Sequence, residues 1–178
     1  MQEVILVNEQ DMPIGTMEKM AAHEQALLHR AFSVFIFNSN GLMLLQQRAM
    51  GKYHSPGLWT NTCCSHPFPN EETEKAALRR LQEELGFTTA LTKAFHFTYK
   101  ANFDNGLTEH EFDHVFVGKY DGDIAINPEE VKEIAWKSLQ EINEELISTP
   151  FQYTEWFKIA FPMLCNWVQK NIFLNAPA

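Results

Sequence analysis

Three stretches of the chain bring together residue types that do chemistry. The first is Glu109-His110-Glu111-Phe112-Asp113-His114. Side chains alternate between the faces of a strand, so Glu109, Glu111 and Asp113 would share one face, and His110, Phe112 and His114 the other. Turned inward, three neighbouring carboxylates need a divalent cation or a raised pKa. Turned outward, they are an ordinary solvated face. The second stretch, Trp59-Thr60-Asn61-Thr62-Cys63-Cys64-Ser65-His66-Pro67, sets a thiol two residues from an imidazole, the makings of a metal pair or a catalytic Cys/His pair. Adjacent cysteines also serve as small buried hydrophobes, the role expected of Cys63. His23 and His29 could join His66 as imidazole ligands, while any one of them alone would equally suit a surface or a satisfied core. The third stretch, Arg79 to Gly86, pairs Arg79 with Glu83 and Arg80 with Glu84 at i, i+4, a stripe able to face a diphosphate and its metal, or simply solvent. Lys19, Arg48 and Lys52 could clamp the same phosphates, although each by itself suits the surface. No P-loop or dinucleotide fingerprint occurs.

These residues need elements to hold them. Glu3 to Asn8 reads as a strand, and Pro13 and Gly15 as the turn after it. A short polar segment, Met17 to Leu28, leads to a β-rich run, Ala31 to Phe37. Asn40-Gly41 then gives a hairpin into Leu42 to Gln47. Tyr53 to Asn70, with Pro56, Gly57, Pro67 and Pro69, reads as one ordered loop. Ala77, Leu78, Leu81 and Leu85 recur at the spacing of a buried helical stripe, and Gly86 sits where a C′ glycine belongs, so 71–85 is a helix. Ala94 to Phe103 and Leu107 to Tyr120 flank a second hairpin turn, Asn105-Gly106. Asn127-Pro128-Glu129-Glu130 has the shape of an N-cap, a proline at N1 and an acidic first turn, and so predicts a short helix before the strand-like Ile134 to Trp136. Ser138 caps a further helix to Leu146. Pro150 to Leu174 is aromatic-rich and roughly amphipathic, with Pro162 expected to break or kink it. One mixed α+β domain is the economical sum.

Composition narrows the function classes. The chain has 178 residues, 45% of them hydrophobic, enough for one domain with a sizeable core, and this excludes a disordered or fibrous chain. Fourteen Lys and Arg against 23 Asp and Glu give a net charge of -9, so no broad basic surface exists for nucleic acid. The longest apolar runs fall far short of the ~20 residues that cross a bilayer, and the start lacks the marks of a secretory signal. A cytoplasmic protein with no membrane partner is expected. Three cysteines, an odd number, argue against a disulfide framework.

Residues 65–86 resemble the Nudix box: Gly, five residues, Glu, seven residues, Arg-Glu, an aliphatic residue, one residue, Glu-Glu, one residue, Gly. Glu71, Arg79, Leu81, Glu83, Glu84 and Gly86 match, while Ser65 stands for the opening Gly and Arg80 for the Glu after the Arg. The second departure removes a metal-binding carboxylate of Nudix hydrolases and argues against pyrophosphate hydrolysis. The same departure marks type I isopentenyl-diphosphate Δ-isomerases, which the chain resembles from about Val4 to Trp156. The matching segments are Glu18-Lys19, Leu28-His29-Arg30-Ala31-Phe32-Ser33, Gln47-Arg48-Ala49, Pro56-Gly57-Leu58-Trp59-Thr60-Asn61, Cys64-Ser65-His66-Pro67 and Glu109-His110-Glu111, with His23 upstream.

The resemblance implies a Nudix-like mixed sheet sandwiched by helices, as a single domain over 1–178 with its Nudix core over about 30–165. It implies that His23, His29, His66, Glu109 and Glu111 hold one divalent ion, a nitrogen and oxygen set that suits Mn2+, Mg2+ or Zn2+. Glu84 would contribute to a second site, for Mg2+ arriving with the diphosphate. Lys19, Arg48, Lys52 and Arg80 match diphosphate-holding positions. Cys64 and Glu111 match the two proton-transfer residues, with Tyr99 beside them and Trp156 over the hydrocarbon end of the substrate. The implied activity is interconversion of isopentenyl and dimethylallyl diphosphate through a tertiary carbocation, in isoprenoid precursor biosynthesis, by a monomer or weak homodimer acting on a small molecule. A Nudix hydrolase of a nucleoside diphosphate derivative is the alternative, and a catalytically silent binding module is a third reading.

Overall fold

The computed structural model describes residues 2–103 and 106–171. The first strand, β1 (Glu3–Val7), pairs antiparallel with β2 (Pro13–Glu18), and a six-residue helix, α1 (Lys19–Glu24), follows. The expected Pro13/Gly15 turn is therefore a strand. Pro13 is tolerated because it begins an edge strand, where its missing N–H breaks no ladder, and the turn falls earlier, around Asp11 at φ 62. The polar segment 17–28 is part strand and part helix. Next come β3 (His29–Phe37) and β4 (Met43–Arg48), joined by the expected hairpin, in which the Asn38 side chain caps the turn amides of Asn40 and Leu42.

The expected loop 53–70 contains two short strands, β5 (Trp59–Thr60) and β6 (Cys63–Ser65), which pair with β4 and β3 respectively. Neither is long enough to leave a periodic signal. Helix α2 (Thr73–Leu85) ends on Gly86 in the left-handed conformation, φ 76, where an added Cβ would also lie 2.9 Å from Ala125. Strands β7 (Leu91–Asn102) and β8 (Thr108–Lys119) form the second hairpin. Of its expected turn, Asn105 lies outside the described residues, and Gly106 has φ 83. Asn127 to Glu130 is a turn and not a helix. The Asn127 side chain does accept from the Glu129 amide at 3.1 Å, as a cap would, but the chain passes straight into β9 (Val131–Lys137). Ser138 caps α3 (Leu139–Ser148) with a full capping box. The last helix, α4 (Glu155–Asn171), runs through Pro162 instead of breaking there, and residues 172–174 of the expected amphipathic segment lie outside the described residues.

Strand β3 is central. One edge runs parallel to β8 along its whole length, and the other takes β1, β6 and β4 in turn. Its side chains are nearly all buried, as a strand covered on both faces requires. Phe35, Phe37, Val115 and Val117 pack under α4, with Phe157, Phe161 and Leu164. Phe32, Val34, Ile36 and Phe116 pack under α2, with Ala77, Leu81 and Leu85. This is the expected α+β mixed sheet between helices.

Candidate active site

Where the sheet meets α1, α2 and α4, a cavity is lined by side chains from most of the elements. Pairing registers bring them together. The parallel register sets His29 beside Glu111, the β7/β8 register sets Tyr99 opposite Glu111, and the β3/β6 register sets Ser33 opposite Cys64. Glu109, Glu111 and Asp113 are all buried, so the carboxylate face points inward.

The imidazoles form the floor. His23 Nδ1 lies 2.7 Å from the Lys19 carbonyl and His29 Nδ1 lies 2.8 Å from that of Leu27. A carbonyl only accepts, so each Nδ1 carries a hydrogen and each neutral ring presents a lone pair at Nε2. His23 Nε2 is buried without a hydrogen-bond partner. His29 Nε2 is 3.2 Å from His66 Nε2, which is 2.8 Å from Glu111 Oε1. Ligand atoms of His23, His29, His66 and Glu111 lie within 4.8 Å of one another. A second such group is His23, His54 and Glu109, so Glu109 joins the expected set through His23.

Charge accounting favours a cation here. The Tyr99 hydroxyl lies 2.8 Å from Glu109 Oε2 and 2.7 Å from Glu111 Oε2, yet it has one hydrogen to give. One oxygen of the pair therefore needs a proton or a metal. Burial pushes His66 down to about 3, keeping it a neutral ligand. Burial works against the charge on Glu111, but the imidazoles of His29 and His66 beside it outweigh burial and hold the carboxyl well below the usual range. Asp113, one turn of the pleat deeper, is pushed well up by burial and by the charge of Glu111, although the Ser33 hydroxyl donates to it at 2.7 Å. The free donor set, the converging lone pairs and the unbalanced carboxylates fit a divalent ion.

The opposite wall is cationic. Arg48, at the end of β4, lies over the ring of Trp156, its guanidinium carbon 5.2 Å from the ring centroid, and the Trp156 indole N–H donates to Asn61 at 3.2 Å. Lys19 sits 4.6 Å over Tyr53, and its pKa is lowered first by burial and then by Lys52, Arg48 and Arg80. Arg80 bonds Glu84 at 2.6 Å and Glu130 at 3.1 Å, Lys52 pairs with the other oxygen of Glu130, and Gln46 donates to Glu84 at 3.1 Å. Glu84 thus stands behind Arg80 and not on the cavity wall itself. Arg79, one residue earlier, turns away to Glu71, with two contacts of 2.8 Å, and to the Phe68 ring. Half-buried Cys64 lines the cavity, its thiol pushed up by burial and by Glu84, Glu109 and Glu111 against the opposing charge of Arg48. Cys63 is fully buried under α2, the small-hydrophobe role expected of it.

The cavity or the groups directly behind it therefore take in His23, His29, His66, Glu109, Glu111, Cys64, Tyr99, Lys19, Arg48, Lys52, Arg80, Glu84 and Trp156, while Arg79, His110 and His114 point elsewhere. Sequence reasoning missed Tyr53, His54 and Glu130, which also line it. The sequence carried no spacing signal for His54. In the sequence, Glu130 has the look of a helical first turn.

A mixed sheet held between α2 and the C-terminal helices, with a carboxylate-bearing helix beside a polar cavity, defines a class: residues 27–157 match the NUDIX domain. Solved structures agree on the fold. A Deinococcus radiodurans protein superposes with a TM-score of 0.69 at 19% identity, covering 83% of this chain and 90% of that one, and the MutT protein of Methanosarcina mazei gives 0.65 at 20%, over 81% and 95%. Within that class, the chain belongs to the isopentenyl-diphosphate Delta-isomerase family. It is 52% identical to the Pectobacterium atrosepticum protein of that name over 94% of this chain and 93% of the relative. A Burkholderia multivorans relative of the same name is 45% identical over 95% and 99%.

Proposed function

We propose that the chain interconverts isopentenyl and dimethylallyl diphosphate, with Cys64 and Glu111 as the proton-transfer pair. The observation that carries this reading is a protonated thiol and an ionised carboxylate lining one cavity whose other wall is cationic. Moving an isolated double bond requires adding a proton at one end and removing one from the neighbouring carbon, and these two groups begin in the states that do so. The Cys64 S–H donates to the terminal methylene, leaving a tertiary cation. Glu111 takes the proton from the carbon nearer the diphosphate, and the new double bond forms there. In the reverse direction the roles exchange. Tyr99, bonded to Glu111, orients the carboxylate. The Trp156 ring faces the cation, an attraction worth on the order of 1 to 2 kcal/mol when desolvated, and helps exclude water that would quench it.

Lys19, Arg48, Lys52 and Arg80 hold the diphosphate, and Glu84, directly behind Arg80, would be a ligand of its Mg2+. His23, His29, His66, Glu109 and Glu111 hold a second ion, for which Mn2+, Mg2+ and Zn2+ are all suited by donor type. That ion, when bound, supplies positive charge that balances the two glutamates. The Nudix-hydrolase reading is weaker, because Arg80 stands where a hydrolytic carboxylate would be, its own charge engaged by Glu84 and Glu130. Among the described residues no helix is long and apolar enough to cross a membrane.

Incubation with isopentenyl diphosphate and Mg2+ in deuterated water tests the assignment. Deuterium enters both substrate and product with no phosphate released. Phosphate release without isomerisation would overturn it.

A further inference from the structure

The segment between β4 and β5 places a third donor against the paired glutamates. His54 is buried in the cavity wall, and its Nε2 stands 3.0 Å from Glu109 Oε1. The other oxygen of Glu109 faces the Tyr99 hydroxyl at 2.8 Å. The imidazole is locked: it stacks on Phe103 at 5.0 Å and 12°, meets Tyr53 edge-on at 4.4 Å, and stands at 89° to Trp156 at 5.7 Å. Its backbone carbonyl accepts from Arg48 at 3.2 Å, which ties the loop to the cationic wall. An ionised carboxylate only accepts, so Nε2 carries the hydrogen and the Nδ1 lone pair is left buried without a partner. Leaving that atom unsatisfied is costly, and the contact that offsets it is the one with Glu109.

We propose that His54 is the positioning residue for Glu109: its Nε2–H, with the Tyr99 hydroxyl, fixes both carboxylate oxygens so that Glu109 is aimed at the group of His23, His29 and His66. It acts through Glu109 and does not itself bond the ion, because the nitrogen facing Glu109 is the one occupied as a donor. The inference rests on the reading of Glu109 as a metal ligand made above. Outer partners that hold a ligand in this way typically change metal affinity 10–100-fold when removed. The same ring also walls the cavity beside Trp156, so the orientation of Glu109 and the shape of the hydrocarbon end are set by one side chain.

The test is Mn2+ binding to metal-freed protein, followed by the electron paramagnetic resonance signal of free Mn2+, for the native chain, His54→Phe, His54→Gln and Glu109→Gln. Phenylalanine keeps a flat ring and loses the donor, whereas glutamine presents an N–H near the position of Nε2. Affinity falls 10–100-fold in His54→Phe, recovers most of the loss in His54→Gln, and falls at least as far in Glu109→Gln. Unchanged binding in His54→Phe alongside weakened Glu109→Gln overturns the positioning role and leaves the reading of Glu109 standing. Unchanged binding in Glu109→Gln overturns that reading first. Equal loss in His54→Phe and His54→Gln means that His54 bonds the ion directly, and also overturns the proposal. If His54→Phe does not fold, His54→Leu carries the same comparison.

Discussion

The two faces of the central sheet are built by the same alternation and put to opposite uses. Cys63 and Cys64 are adjacent on β6, so Cys63 points under α2 among Leu81, Val34 and Ile36, and Cys64 points to the α4 side among Tyr99 and Trp156. Strand β8 divides likewise, with Phe116 on the α2 side and Glu109, Glu111 and Asp113 on the other. The α2 face is filled mainly by apolar side chains, with the Gln46–Glu84 hydrogen bond buried among them. The α4 face is filled only toward the C-terminal ends of β3 and β8. At their N-terminal ends it gives way to buried carboxylates and imidazoles, groups that cost stability unless paired. One face stabilises the fold that the other exploits.

If that division is right, substitutions on the two faces separate turnover from stability. The largest effect expected is from Cys64→Ala: turnover falls by about 10²–10⁴-fold, the range for a lost general acid, with metal content unchanged by elemental analysis. Leu81→Ala, on the α2 face, lowers unfolding free energy in urea by about 2–5 kcal/mol, while the folded fraction keeps native turnover. Cys63→Ala removes one buried sulfur, with a stability loss of about 1 kcal/mol and near-native turnover. Equal loss of turnover from the two cysteines would erase the distinction. The smallest effect is at Arg79, whose partner Glu71 is held below its ordinary 4.5 chiefly by the guanidinium hydrogen bonds, with the Phe68 amide assisting. This partly exposed pair contributes under about 1 kcal/mol. A depressed carboxylate stabilises above its unfolded value, so the difference between native and Arg79→Ala chains is full near pH 7 and closes as pH falls below 4.5. Its turnover is unchanged.

The parts legible in the sequence are those that repeat. The i, i+3, i+4 stripe of α2, its closing Gly86, the capping Ser138 and the period-two carboxylates of β8 each carry a local rule that tertiary contacts did not override. What escaped notice is short or imported. Strands β5 and β6 are two and three residues long, too brief for any period, and exist because β4 and β3 offer them edges. Asn127 to Glu130 has every local sign of a helix start, but the β4/β9 ladder that begins at Val131 takes the chain first. Pro162 stayed inside α4 because Phe157, Phe161, Leu164 and Val168 bury that helix along its length, outweighing one lost hydrogen bond. His54 was invisible because its partners Glu109, Phe103 and Trp156 are remote in sequence.

The parallel register of β3 and β8 has a consequence for how the chain comes to exist. His29 and Glu111 are neighbours only after a strand from the first third of the chain has closed on one from well past its middle. Contacts of this range form late and slowly, because the loop between them must lose its freedom before any pairing rewards it. The His29–Glu111 pairing is therefore one of the long-range contacts of the fold, and an ion bound there would hold the two strands together. A ligand that engages contacts absent from the folding transition state would slow unfolding more than it speeds folding, and the site would then double as the clasp of the sheet.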